Sequence, residues 1–394
     1  MLKFVRVALI GIGLCAAIGA CGRTSPDEHV KRAEDYVAKK DFANAIVEYR
    51  TAIQLDPKLG PARLRLGDLY ARLSDGQNAY REYIRAADLM PDNVDAQLKA
   101  GALLLLSNQY AEAKTRAETA LRLSPRNAGA LTLLGNALAG MNDTDGALDR
   151  LNEAILSDPS QGSLYSNLGV LQLARGDRQM AEASFKKAMR ATPNRAEPRV
   201  ALAHFYRSQG RDAEAEQALL EALTVDPKSI LANSNLAELY LTTGRALLAE
   251  SPLKAIADVR QDPESMFTLA DYYTRTRRTK EAATILDKLA GTSQTYGLAK
   301  ARLAAIDYTE GRADEAHKSL DELLKREPHN RLGLVLKGRL LIIEKKHEEA
   351  LEYAKRALAA DPEHSSEAHY LLALVYQGKG QLEESENEFK QVLK

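Results

Sequence analysis

An all-α solenoid of about eleven helix-turn-helix repeats is the fold class this sequence predicts, and three observations predict it. Pro57, Pro91, Pro125, Pro159, Pro193 and Pro227 fall 34 residues apart, and Pro328 and Pro362 repeat that step. Alanine holds two fixed offsets before them. It stands twelve residues earlier at Ala45, Ala79, Ala113, Ala147, Ala181, Ala215, Ala316 and Ala350, and five residues earlier at Ala52, Ala86, Ala120, Ala154, Ala188, Ala222 and Ala357. Aromatic residues make up only 6% of the chain and tryptophan is absent, so the core must be built from Ala, Leu, Ile and Val, which suits close helix packing better than a β-sandwich. A fixed period of this size marks stacked units, each contacting only its neighbours.

The first residues read as an export signal. Lys3 and Arg6 form a basic start, and Val7 to Ala20 is an uncharged apolar run of fourteen residues. That is shorter than the roughly twenty a bilayer span needs, but long enough for a signal core. The run ends Ile18-Gly19-Ala20-Cys21, which resembles a bacterial lipobox. The resemblance implies a diacylglyceryl group on the Cys21 sulfur and cleavage before it, so that Cys15 leaves with the signal. A plain secretory signal or an uncleaved anchor, with Cys21 incidental, is the alternative. The expected division is a signal over 1–20, a lipidated cysteine and tether over 21–27, and the solenoid over 28–394, irregular near 244–296. By resemblance to enterobacterial sorting, the lack of Asp after Cys21 implies the periplasmic face of the outer membrane.

Within the body, Gly67, Gly101, Gly135, Gly169 and Gly338 hold the eighth position of their repeats, with Ala203 and Ala237 in its place elsewhere. A small residue there lets two helices approach to about 8–10 Å. Tyr36, Tyr70, Tyr206 and Tyr240 hold the eleventh position, where a ring can wedge between helices. The proline sits just past the second helix, where its missing N–H ends the ladder. This set of positions resembles the tetratricopeptide repeat family, which implies a right-handed superhelix. Repeats are expected to begin near Pro26, Gly60, Val94, Ala128, Gly162, Ala196, Ile230, Pro263, Gly297, Arg331 and Ser366. Between Pro227 and Pro328 the phase wobbles. No proline holds the slot at Gln294, and Pro252 falls inside the second helix of repeat seven. There it either kinks that helix, at about 3 kcal/mol, or starts a short helix after a break at Ser251. Nothing else in the sequence suggests a domain boundary.

In the resembled family the first helices line a groove that holds a peptide or partner helix. On repeats three to five the family's ligand-facing positions carry Leu98, Leu105, Leu106, Thr132, Asn136, Ser166, Asn167 and Val170, an apolar trough with amides along it. An Asn side chain offers both a donor and an acceptor to an extended backbone. Packing of some of these leucines between repeats is the competing reading. Chaperone-binding members clamp a C-terminal carboxylate with two lysines, an arginine and two asparagines. The asparagines match at Asn136 and Asn167, but Thr132 replaces one lysine, and Glu197 and Ala201 replace the other lysine and the arginine. The resemblance therefore implies backbone holding without a carboxylate clamp. Repeats six to eight place His204, Arg207, Asn235, Glu238, Phe267, Asp271 and Arg275 at the same positions, a mixed-charge surface suited to a specific protein partner or simply a solvated face.

Lys plus Arg and Asp plus Glu both number 54, so the basic excess of a nucleic-acid binder is missing. His-Glu-x-x-His, Gly-x-Ser-x-Gly and phosphate-loop patterns are absent. His364 and His369 are five residues apart and straddle a helix start, which does not make a metal pair. No enzyme, cofactor or metal is expected. Ala96 to Gly101 followed by Leu103 to Leu106, Gly135 to Gly140, and Tyr165 to Gly169 are similar to the tetratricopeptide lipoproteins of exopolysaccharide export and exosortase (PEP-CTERM) systems. The first expectation is a lipid-anchored envelope scaffold whose groove holds proteins or peptides. A pilotin-like or outer-membrane assembly factor is the second. A periplasmic chaperone or glycan-binding module is the third, and the absence of tryptophan weighs against glycans.

Overall fold

The structure, a computed structural model, describes residues 25–361 and 365–393. These residues form 22 α-helices and one short 3-10 helix. The signal, Cys21 and His364 lie outside the described residues.

Helix contacts divide the chain into two compact units, one up to Thr192 and one from Pro193. The sequence pattern concealed this division, because the proline phase runs evenly through it from Pro57 to Pro227. The first unit holds five antiparallel pairs: α1 (Pro26–Ala38) with α2 (Phe42–Leu55), α3 (Gly60–Arg72) with α4 (Gly76–Leu89), α5 (Val94–Leu106) with α6 (Tyr110–Leu123), α7 (Ala128–Gly140) with α8 (Thr144–Ser157), and α9 (Gly162–Arg175) with α10 (Arg178–Ala191). The second holds six: α11 (Glu197–Ser208) with α12 (Asp212–Val225), α13 (Ile230–Thr242) with α14 (Glu250–Arg260), α15 (Pro263–Arg275) with α16 (Thr279–Leu289), α17 (Tyr296–Thr309) with α18 (Ala313–Arg326), α19 (Arg331–Ile343) with α20 (His347–Ala360), and α21 (Ser366–Gly378) with α22 (Leu382–Val392). Nine of the eleven first helices begin where the period places them; α11 and α17 shift by one residue.

The register alanines explain the pairing. Ala45, Ala113, Ala147, Ala181, Ala215, Ala316 and Ala350 are fully buried, as are all seven of the second set. No side chain beyond a methyl fits where the helices cross. Larger residues close the spaces between pairs: Tyr49, Leu66, Leu69 and Tyr83 in the first three repeats, and Leu320, Leu323 and Leu340 in repeats nine and ten. The core is therefore a series of layers within each unit.

The turn inside each repeat is set by one backbone choice. Lys40, Ser74, Asn108, Asn142, Gly176, Gly210, Gly244, Arg277, Gly311, Lys345 and Gly380 all have φ between 58° and 95°. One left-handed residue reverses the chain after every first helix, and the next N–H then bonds back to the eleventh position, as from Asp41 to Tyr36 O and from Asp75 to Tyr70 O, both 2.9 Å. Glycine fills fewer than half of these turns, so the sequence pattern did not reveal them.

Repeat seven departs as its phase suggested, though without a kink. Ala246–Ala249 forms the 3-10 helix and α14 starts at Glu250. Pro252 is the third residue of α14, in the first turn, where its missing N–H has no intrahelical acceptor to lose. The break therefore falls just before Glu250 rather than at Ser251. At the slot without a proline, the Thr295 hydroxyl donates to Leu289 O and sits 2.6 Å from the Thr292 hydroxyl, a side-chain stop in place of a missing N–H.

Candidate functional site

On the first-helix face of the first unit, an acidic residue at the ninth position meets a basic residue at the sixth position of the next repeat, 31 residues on. Glu34 and Arg65 come to 4.0 Å, and Asp68 and Lys99 to 2.7 Å. Asp68 also accepts from the Tyr83 hydroxyl at 2.8 Å, and Lys99 reaches Asp95 at 2.9 Å. Burial works against the charge of Lys99, yet its hydrogen bonds to Asp68 and Asp95 hold its ammonium above its ordinary value.

This ladder ends at repeat three, whose ninth position is Ala102, opposite Leu133 at the sixth position of repeat four. In repeats four and five the register is polar again but uncharged. The same two slots hold Asn136 and Asn167, also 31 residues apart. Both side chains are half-buried, and among the described residues neither makes a hydrogen bond. Ser166 is half-buried beside them. Val170 is 56% exposed and Leu106, further along the face, 79% exposed. The Thr132 hydroxyl is turned back on its own helix, donating to Ala128 O at 2.7 Å. Leu98 and Leu105 are only partly exposed and pack against Leu133 and Leu134 of α7. These two leucines support the next repeat from below, whereas Leu106 and Val170 face solvent.

The second unit treats the equivalent positions differently. Arg207 pairs with Glu238 at 3.0 Å, and Asp271 holds Arg302 at 2.8 and 2.9 Å. Asn235 is buried and its amide donates to Leu231 O at 2.8 Å. Phe267 is buried with the Arg302 guanidinium 4.7 Å above its ring. Asn235 and Phe267 are thus corrections to the sequence reading, which set them on the open surface. Both belong to the packing: the Asn235 amide is closed on its own helix, and the Phe267 ring is covered by Arg302 of the next repeat. His204 and Arg275 are exposed.

Beside them lies a cleft of about 410 Å³ between α13, α14 and α15, walled by Ala237, Leu241, Leu253 and Ile256. The sequence pattern did not single these residues out. The lost proline phase around Pro252 was the signal that could have done so. On the far side of α14, Glu250 is held by Arg278, by Lys254 at 2.6 Å and by the Tyr273 hydroxyl at 3.1 Å. First the Arg278 hydrogen bond and then that of Lys254 bring the Glu250 carboxyl down to about 2. Glu216 is gripped similarly in the repeat before, by the Tyr240 hydroxyl at 2.9 Å and by Arg245 at 2.5 Å.

Three histidines pair with glutamates between helices. His29 meets Glu48 at 2.5 Å, His317 meets Glu344 at 2.8 Å and His369 meets Glu388 at 2.6 Å. Among the described residues no three His, Cys, Asp or Glu side chains group as metal ligands, and no helix is long and apolar enough to cross a membrane.

Paired helices in fixed register, with side chains offered along the first-helix face, define a helical-repeat binding protein. Tetratricopeptide repeat profiles match residues 104–169, 172–229 and 341–394, a second profile of that description matches 298–365, and a third matches 31–59. Together they cover more than half of the chain, which belongs to the tetratricopeptide repeat family. Comparison with curated proteins finds no match. Among solved structures, a tetratricopeptide repeat protein from Parabacteroides merdae shares the fold at 17% identity, covering 63% of this chain and 98% of that one with a TM-score of 0.50. A thermophilic protein of the same kind from Thermus thermophilus is 26% identical over 46% of this chain and 99% of its own, with a TM-score of 0.42. PilW, a widely conserved type IV pilus biogenesis factor, is 20% identical over 54% of this chain and 98% of its own, with a TM-score of 0.45.

Proposed function

We propose that this protein is a lipid-anchored scaffold of the bacterial cell envelope, without enzymatic activity, that captures extended segments of partner proteins on the first-helix face of repeats three to five. One observation carries the reading. Asn136 and Asn167 occupy the register in which other repeats close an ion pair, yet both amides are unspent. A pair of open amides offers donors and acceptors to an extended backbone, and exposed Val170 and Leu106 offer apolar contact on the same face. The anchor rests on the sequence alone: Lys3, Arg6, the apolar run and Cys21. On that basis the protein faces the periplasm from the outer membrane, and its partners are envelope proteins of an export or sorting system, exopolysaccharide systems among them.

A photo-crosslinking residue at Val170, in cells, tests the groove. Covalent adducts at Val170, absent from a still more exposed second-helix position, Leu156, and lost with Asn136→Ala and Asn167→Ala, are the expected result. Equal adducts at Leu156, or adducts indifferent to the two asparagines, would place partner binding elsewhere.

A further inference from the structure

The first helices of repeats nine to eleven, α17, α19 and α21, lie side by side in the second unit. They carry five lysines and arginines against two carboxylates, Asp307 and Glu367. Four of the five cations are matched. Lys300 meets Glu322 at 3.7 Å, Arg302 is held by Asp271, Arg331 meets Glu367 at 3.7 Å and Lys337 meets Asp321 at 2.8 Å. Asp307 is taken by Arg312 at 2.7 Å. Arg339 is left over. It is exposed and, among the described residues, makes neither an ion pair nor a hydrogen bond. The other described carboxylates of these repeats stand in turns or on second helices. The face therefore carries one positive charge without a counter-charge.

The surroundings of that charge are apolar. On its own helix, Leu336 and Ile343 stand three residues before Arg339 and four after it, on the same side, and Leu332 stands one turn further back. Ile343 and Leu332 are exposed, as is Leu298 on α17. Tyr370 of α21 lies 31 residues on, the step that joins Asp271 to Arg302. It too is exposed, and its ring is fixed edge-on by Phe389 at 5.9 Å between centroids. Ala305 and Ala373 stand 34 residues to either side of Arg339, so the neighbouring helices offer the guanidinium nothing longer than a methyl in its own row. An exposed arginine and tyrosine among aliphatic side chains is the composition of an interface hot spot.

We propose that this face of α17, α19 and α21 binds a partner segment in which an aspartate or glutamate stands between apolar residues. The side-chain carboxylate lies on Arg339, and the apolar residues lie against Leu298 and Leu332 on one side and Tyr370 and Ile343 on the other. A planar carboxylate matches the fork of the guanidinium, whereas a basic segment would be repelled and a wholly apolar one would leave the charge unmet. Neighbouring helix axes lie about 9 Å apart and an extended chain advances about 3.3 Å per residue, so the apolar residues fall about three positions to either side of the acid. This inference rests on the reading of the protein as a partner-binding scaffold. It uses other repeats, and its failure leaves the asparagine pair untouched.

The test pans a random heptapeptide phage library on the immobilised full chain, on Arg339→Gln, on Arg339→Glu and on Asn136→Ala/Asn167→Ala. Arg339 is exposed and unbonded, and a thermal melt checks that the variants stay folded. Enrichment of Asp or Glu between apolar residues is expected on the parent protein and on the asparagine variant, and not on Arg339→Gln. Arg339→Glu should enrich Lys or Arg in place of the acid. The parent's acidic peptide, labelled and followed by fluorescence anisotropy, should lose at least about tenfold in affinity on Arg339→Gln or when its carboxylate is made an amide. A consensus without acidic residues, the absence of any enrichment, or affinity unchanged by Arg339→Gln overturns the proposal. An acidic consensus lost on the asparagine variant alone would move the acidic site to repeats four and five, which overturns this inference and leaves the partner-binding reading standing.

Discussion

Asp271 holds Arg302 through two hydrogen bonds of 2.8 and 2.9 Å, across 31 residues of chain and from one first helix to the next. In repeats four and five the same two slots carry Asn136 and Asn167. One residue pair therefore either ties neighbouring repeats together or leaves two amides open. Arg302 does more than pair: its guanidinium covers buried Phe267, so the ion pair also shields a ring from water.

That relationship can be transplanted. Asn136→Asp with Asn167→Arg should close the ladder where it is now open. The fold should be retained, with stability unchanged or raised by about 1 kcal/mol, as for a solvent-accessible ion pair. Crosslinking from Val170 should fall to background, because the amides that would hold a backbone are gone. Persistent crosslinking in this double variant would show that the amides do not hold the partner. An arginine at Leu105 is a poorer probe, since Leu105 packs beneath α7.

The repeats were legible in the sequence because each constraint acts at a fixed step. Ala45 and Ala52 must be small, Tyr70 must wedge, and a proline stops most of the second helices, so the period registers these constraints. The eleven left-handed turn residues were not legible, because Lys40, Ser74, Arg277 and Lys345 adopt a conformation that glycine usually marks. At the candidate groove the sequence located Asn136, Asn167 and Val170. It could not say which polar residues are spent, because a side-chain amide on a helix can turn back on its own helix or outward, and the residue type does not decide which. Asn235 and Asn167 look alike in sequence, yet one amide is closed on Leu231 and the other is open.

The proposed lipid anchor rests on one atom. Cys21→Ser removes the sulfur that would carry the lipid. The variant should move from the membrane pellet to the soluble periplasmic fraction on cell fractionation, with its helical content unchanged. One acyl anchor of this kind gains about 0.8 kcal/mol per buried methylene, so its loss leaves no comparable attachment among the polar helices of the body. A variant that still pellets would shift the anchoring to the apolar run over 7–20 or to the repeats.

Backbone crowding gives a prediction of the opposite kind, of damage to packing. A Cβ on Gly162 would stand 2.7 Å from the Ala188 carbonyl oxygen and 2.3 Å from the Thr192 hydroxyl. The hydroxyl can rotate away, whereas a carbonyl inside α10 cannot. Gly162→Ala should therefore push α9 off α10 and cost about 1–3 kcal/mol, read as a lower urea midpoint and faster amide exchange in those two helices. Gly76→Ala meets nothing within 4 Å and should leave both measurements unchanged.

The Glu250 grip supplies the pH dependence. Hydrogen bonds from Arg278, then Lys254 and Tyr273, bring its folded carboxyl to about 2, below the ordinary glutamate value of 4.5. A depressed carboxyl binds fewer protons folded than unfolded, so its contribution is fully present above about pH 4.5 and fades as pH falls toward 2. The side chain is one-quarter exposed, and solvent screening limits the contribution to about 1–2 kcal/mol. Glu250→Gln keeps the shape and removes the charge. Its denaturation midpoint should lie below that of the parent protein at pH 7, and the two should converge near pH 2. Because Glu250 joins repeat seven to Tyr273 and Arg278 of repeat eight, exchange in the variant should quicken first in α14 and α15. A midpoint difference that stays constant from pH 7 to pH 2 would mean that Glu250 acts through packing and not through its charge.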